Sequence, residues 1–279
     1  MGALERTWQL YKESFAVMTE DGEILLFPIL SGISATLLFA GFFYALYTDG
    51  SLAAIGHRTA TWDVWATLFL WYYLNHFLII FFNSALIGCA GIRLSGGKPT
   101  VGDGFRAALD HTVHIALWAL VASTVGLALS TLNNRRNGLL QRIIGTGLSV
   151  GWTMITYLIV PVLVMENRGV FDSIYRSAEL FRKQWGEELL GSFGFGLLNV
   201  LLFLPGVGLG MLVFRYDRVG ALIVVVIYAL FLATISSAVG GVFRAALYRF
   251  ATSGDAPPGF TADALDPTGG RRPSLPTDW

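Results

Sequence analysis

Three groups of residues in this chain have types and spacings that could do chemistry. Asp110, His111 and His114 come nearest to a metal or acid–base cluster, since Asp110 and His114 share a helix face at i, i+4. They stand where an apolar run begins, with no further ligand close by in sequence, and read as interfacial histidines beside an acid. Gly206-Val207-Gly208-Leu209-Gly210 has the glycine density of a phosphate loop. A dinucleotide loop follows a strand, however, and this segment sits inside an apolar run after Pro205. The third group consists of polar residues within long apolar runs. His76 and Asn83 lie seven apart and so on one helix face, Asn75 and Ser84 flank them, and Asn199 follows later. In lipid such groups must find partners. Two readings of His76, Asn83 and Asn199 stay open: a polar path for a solute, or hydrogen bonds that tie helices together.

The elements that would position these residues are helices crossing a membrane. Six stretches contain no Asp, Glu, Lys or Arg: Ile24–Thr48, Val64–Ile92, His111–Asn134, Ile143–Met165, Leu189–Phe214 and Val219–Phe243. Each has about 23–29 residues, enough to cross a hydrocarbon core about 30 Å thick at about 1.5 Å per residue. With 54% hydrophobic and 14% charged residues, the chain lies outside the range of soluble domains. Zero net charge gives no reason to expect nucleic acid as a partner. The lone Cys89 falls within the second span and reads as a small packing residue. Thirteen basic residues fall on the side of the two termini and six on the other, which predicts both termini in the cytoplasm.

Three amphipathic stripes precede the odd-numbered spans: Leu4, Trp8, Tyr11, Phe15 and Met18; then Val101, Phe105, Ala108 and Thr112; then Phe171, Ile174, Ala178, Phe181 and Trp185. These predict helices in the cytoplasmic interface or tucked under the bundle. Lead-in helix, span and returning span would then occur three times. Ser14-Phe15 before Gly22-Glu23-Ile24-Leu25 resembles Ser177-Ala178 before Gly186-Glu187-Glu188-Leu189. A hairpin entering a membrane needs such a lead-in whether or not its copies share an origin, so both explanations stand. Small residues mark helix packing faces: Gly147 and Gly151 in span four, and Ala233, Ser237 and Gly241 in span six. Pro28, Pro161 and Pro205 each interrupt a span's hydrogen bonding. The domain is expected to cover residues 1–250. Residues 251–279, rich in Pro, Gly, Asp and Thr, are expected to form a disordered cytoplasmic tail.

Several local sequences resemble a prokaryotic family of six-span membrane proteins catalogued only as a domain of unknown function. They are Trp8, Ser14-Phe15, Leu25-Leu26-Phe27-Pro28 and Ser31-Gly32; Phe81-Phe82-Asn83-Ser84-Ala85-Leu86; Gly97-Lys98-Pro99; Val160-Pro161-Val162-Leu163 with Glu166; and Ser177 with Trp185-Gly186. The similarity spans roughly residues 4–250. More loosely, the layout resembles the membrane domain attached to some glycerophosphodiester phosphodiesterases, without their catalytic part. The resemblance implies a six-span fold in the inner membrane of a bacterium or archaeon, and supplies no substrate, cofactor or active residue.

The expected fold is therefore all-α: six transmembrane helices with three amphipathic helices on the cytoplasmic face. No nucleophile has a base beside it in the sequence, so neither an enzyme nor a cofactor is expected. Ion-coupled carriers place a charge near the midplane, and none of the six stretches holds one. The expected function is an accessory or scaffold subunit that contacts other membrane proteins, or its own copies as a homo-oligomer, within the bilayer. The alternative is a passive channel or carrier for a small solute or lipid.

Overall fold

The computed structural model describes residues 3–57, 59, 61–134, 139–184 and 195–266. Helix α1 (Ala3–Glu20) leads through a 3-10 turn at Gly22–Leu25 into α2 (Leu26–Thr48). A short α3 (Ser51–Gly56) precedes α4 (Trp62–Leu94), α5 (Val101–Asp110) and α6 (Thr112–Asn134). Then come α7 (Leu139–Ile155), α8 (Ile159–Met165), α9 (Val170–Gln184), α10 (Phe195–Phe214), α11 (Arg218–Ser253) and α12 (Ala262–Leu265). Six segments are long and apolar enough to cross a membrane: Gly22–Thr48, Trp62–Leu94, Thr112–Thr131, Gly145–Met165, Gly196–Phe214 and Arg218–Ser253. The chain is an all-α membrane protein with six spans. Lead-in helices α1, α5 and α9 each precede a pair of spans, so the order of elements repeats three times. Ser14 and Ser177, shared by the first and third copies, are both fully buried. Gly186-Glu187-Glu188-Leu189, the other part of that likeness, lies outside the described residues.

Proline acts differently in each span that contains it. Pro28 sits in the first turn of α2, where a missing N–H costs nothing. Pro161 stands four residues after Tyr157, so its ring collides with the Tyr157 carbonyl, and the helix breaks between Ile155 and Ile159. The break is repaired from α9, where the buried Ser177 hydroxyl accepts a hydrogen bond from the Leu158 amide at 3.1 Å. Pro205 stays inside α10, and next to the carbonyl it frees, that of Leu202 accepts from the Tyr228 hydroxyl at 2.7 Å. Gly206 makes room for that tyrosine, because a Cβ there would lie 2.1 Å from its ring.

Burial gathers at one end of the bundle. Helices α4 and α11 have 33 and 36 residues. At about 1.5 Å per residue they are roughly 50 Å long and overrun a hydrocarbon layer of about 30 Å. Their C-terminal turns carry the core: Leu86, Ile87, Cys89 and Ala90 from α4, and Val239, Val242, Phe243 and Leu247 from α11. Helices α1, α5 and α8 complete it with Met18, Ala108 and Leu163. Contact between α4 and α5 is tight enough that a Cβ on Gly88 would lie 2.5 Å from Ala107 Cβ, and one on Gly104 2.9 Å from the Ala85 carbonyl. The opposite halves of α10 and α11 present exposed Leu204, Met211, Leu222, Ile227 and Leu230, a surface suited to acyl chains.

Helices α1 and α9 bury a face rotated from the one their aromatic residues suggest, whereas α5 packs its predicted Val101, Phe105 and Ala108 against the core. In α1 the buried residues are Thr7, Leu10, Tyr11, Ser14, Val17 and Met18, while Trp8 and Phe15 are exposed. In α9 they are Val170, Ser173, Ser177, Leu180 and Phe181, with Phe171 exposed. Hydroxyl-bearing and small residues face the bundle because they let the helices approach closely. The large rings settle at the rim, as amphipathic aromatics do at a bilayer surface. At the end of α1 the chain is fixed to the end of α4 by Arg93, which pairs with Glu20 and, at 3.3 Å, with Asp21.

The expected disordered tail begins too early. Residues 251–266 fold back on α1: Phe260, Ala264 and Leu265 are buried, and Thr261 Oγ1 donates to Glu13 at 2.9 Å while accepting from Gln9. The signal is a stop rather than an unravelling. Gly254 takes the left-handed conformation, φ 78°, that closes α11 and turns the chain. The packed domain therefore extends past residue 250 to Asp266. Leu265→Ala should lower stability by about 2 kcal/mol, at the lower end for a buried leucine because α12 lies at the edge of the bundle. Thermal unfolding of the detergent-solubilised protein measures this, and an unchanged midpoint would show that the tail contributes nothing.

Candidate functional site

The polar groups of the bundle line up along the C-terminal half of α11. Ser236, Gly240, Arg244 and Tyr248 recur every four residues and form one slowly winding stripe. At the top, the Ser236 hydroxyl donates to Asn199 Oδ1 at 2.6 Å, joining α11 to α10, and Tyr11 of α1 also hydrogen-bonds to Ser236. Two turns on, Arg244 Nη2 donates to Asn83 Oδ1 at 3.0 Å, joining α11 to α4, while its Nε donates to the Gly240 carbonyl at 3.1 Å. The phenol of Tyr157, in the break between α7 and α8, lies within electrostatic reach of that guanidinium.

One turn further, the Tyr248 hydroxyl donates to Glu166 Oε1 at 3.0 Å. Glu166 ends α8 and is a hub: Arg176 Nε donates to Oε1 at 3.2 Å, and Arg168 Nε lies 2.5 Å from Oε2 in ion-pair contact without hydrogen-bond alignment. Arg176 also reaches Glu179 at 2.8 Å. Burial works against the Arg176 charge, but the hydrogen bonds and charges of Glu179 and Glu166 outweigh it and hold the guanidinium above its ordinary pKa. Arg249 completes the end by bonding to Ser95 and to the Gly91 carbonyl.

The residues singled out from sequence do not form one path. His76 turns to its own helix, with Nδ1 3.0 Å from the Tyr72 carbonyl and its ring against that of Tyr72. A carbonyl only accepts, so Nδ1 carries the proton in this contact. Asn83 and Asn199 bond to different levels of α11. Of the packing motifs, Gly241 makes the close approach: a Cβ there would lie 2.2 Å from Leu86 of α4. Ser237 is exposed. A Cβ on Gly147 or Gly151 would meet nothing within 4 Å, so that GxxxG joins no neighbouring helix among the described residues. Asp110 is exposed, and His111 bonds back to the Ala107 carbonyl at 2.7 Å, so these two share no ligand geometry.

Arg244 and Glu166 are what sequence reading missed as site residues. Arg244 follows the sixth charge-free stretch directly and counts there as a loop cation. The available signal was the lack of any helix stop between Phe243 and Gly254, which keeps Arg244 in register with Ser236 and Tyr248.

The two asparagine contacts should differ in cost. Asn199→Ala removes a neutral bond and should cost about 0.6 kcal/mol, up to about 2. Asn83→Ala leaves an Arg244 N–H without its acceptor and should cost more, about 1–3 kcal/mol. Melting curves of the two variants in the same detergent decide this, and a larger loss for Asn199→Ala would contradict the assignment.

No curated protein and no solved structure matches this chain. A family model does match, over residues 63–259, from the start of α4 to the approach of α12. That stretch holds Asn83, Glu166, Asn199, Arg244 and Tyr248, while α1 and α2 precede it. The chain belongs to DUF6159, a family of unknown function.

Proposed function

We propose that this chain is a non-enzymatic membrane subunit that acts through lateral contacts with other membrane proteins or with its own copies. The observation that carries the proposal is how the intramembrane polar groups are used. Asn83 bonds to Arg244 and Asn199 to Ser236, tying helices together at separate levels, while His76 bonds to its own helix. A channel or carrier for a small solute needs such groups to face a shared passage. Meanwhile a Cβ on Gly147 or Gly151 of α7 would meet nothing within 4 Å among the described residues, which leaves a small-residue face on which a further helix can pack closely.

The same proposal places the protein in the inner membrane of a prokaryote with both termini in the cytoplasm. The excess of basic residues on the capped end, with Arg93, Arg168, Arg176 and Arg249 built into it, supports that orientation.

Extraction of native membranes into polymer-bounded lipid discs should yield the chain in particles larger than its monomer. The purified protein should not raise the solute leak of sealed vesicles. A lone monomer whose vesicles pass a specific solute would establish the carrier instead. In sealed inverted vesicles, protease should remove tags from both termini, and protection of either rejects the orientation.

A further inference from the structure

Arg93, Arg168 and Arg176 at this end of the bundle are answered by carboxylates, whereas Arg244, like Arg249, bonds only to neutral groups. Arg93 pairs with Glu20 and Asp21, and Arg168 and Arg176 pair with Glu166. Arg244 has two neutral acceptors, the Gly240 carbonyl and the Asn83 amide oxygen, and a phenol, Tyr157, as its further electrostatic neighbour. Among the described residues no acid forms an ion pair with it. A partly buried guanidinium attracts an anion more strongly than the same group does in bulk water.

The guanidinium also has donors to give. It carries five N–H groups, and two are occupied, one from Nε and one from Nη2. Nη1 donates to nothing among the described residues, and the residue is only partly buried. One turn back on the same stripe, a Cβ on Gly240 would meet nothing within 4 Å, so the helix surface at that level is uncovered.

Depth selects the kind of anion. Arg218 opens α11, and Arg244 lies 26 residues further along the same helix. That separation is about 39 Å, close to the roughly 40–45 Å between the headgroup regions of a bilayer. With Arg218 at one surface, Arg244 reaches the phosphate level of the other. A guanidinium matches a phosphate through parallel N–H donors.

We infer that Arg244, held by Asn83 and Gly240 with Tyr157 alongside, forms a binding site for a phosphate monoanion such as that of a phospholipid headgroup. The open face at Gly240 admits the ligand, and Nη1 grips it. This site is independent of the lateral-contact proposal, since a subunit can assemble with others whether or not it binds phosphate here.

The purified full-length chain in a neutral detergent would be titrated with dioctanoyl phosphatidylglycerol, dioctanoylglycerol and sodium phosphate. Intrinsic tryptophan fluorescence and the unfolding midpoint are read for each. Phosphatidylglycerol should bind and stabilise the protein, and dioctanoylglycerol, which lacks the phosphate, should not. Arg244→Gln should weaken phosphatidylglycerol binding by about tenfold to a hundredfold, the loss expected for a charged hydrogen-bond partner, while Arg244→Lys should retain part of it. Binding of phosphatidylglycerol alone identifies a lipid site, and binding of sodium phosphate as well identifies a site open to the free anion. If Arg244→Gln does not fold, Gly240→Leu decides. It fills the open space and leaves the charge, and it should produce a comparable loss. Equal responses to phosphatidylglycerol and dioctanoylglycerol, or unimpaired binding in the folded variants, overturn the site.

Discussion

Lipid gives one apolar helix no reason to prefer another over acyl chains, so helices in a bilayer associate only where shape or polarity offers something lipid cannot. The distribution of burial in this chain follows from that constraint. The most apolar 18-residue window of α11 is 6% buried, and that of α4, the central helix, 44%. Where α11 does meet neighbours, a small residue or a polar pair is present. Gly210 admits Val225, Gly206 admits Tyr228 and Gly241 admits Leu86. Asn199–Ser236 and Asn83–Arg244 supply the directional bonds. The core gathers instead at the end where α4 and α11 are longer than a hydrocarbon layer requires, and where water near the headgroups restores the driving force for apolar burial.

The same constraint explains the lead-in helices. A helix lying in the interface would turn its largest apolar residues toward the membrane, and the aromatic stripe of α1 allows that arrangement. Helix α1 follows the other reading of its stripe, tucked against the bundle: it presents Thr7, Tyr11, Ser14, Val17 and Met18 and leaves Trp8 and Phe15 at the rim. Close backbone approach and a hydrogen bond from Tyr11 to Ser236 hold it in place. The helix behaves as part of the domain, and α12 then covers part of its remaining surface with Ala264 and Leu265.

These particulars show what could be read from sequence. Spans are long, charge-free and repetitive, so length alone identifies them, and the lead-in helices follow from periodicity. Which face a short amphipathic helix buries depends on neighbours hundreds of residues away, and a large ring such as Trp8 draws the eye before a small Ser14 does. The tail was misread because Pro257-Pro258 and several acids dominate its composition, while the three residues that anchor it, Phe260, Ala264 and Leu265, are too few to make a pattern. Arg244 was assigned to a loop because a span was taken to end at its first charge. A helix ends at a stop signal, and here that is Gly254.

Proline at position 161 connects these observations to the candidate site. An uninterrupted helix from Leu139 to Met165 would run Tyr157 along its ladder as an ordinary lipid or packing residue. Because Pro161 cannot donate and collides with the carbonyl four residues back, the chain opens at Thr156-Tyr157-Leu158. An opened backbone inside a membrane protein needs a partner for each freed group, and the buried Ser177 of α9 meets the Leu158 amide. That bond seats α9 beside the break. Seating α9 brings Arg176 to Glu166, and Glu166 in turn receives Tyr248, one turn from Arg244. The position of the unanswered cation relative to Tyr157 is thus set by a chain of contacts that begins with a missing N–H.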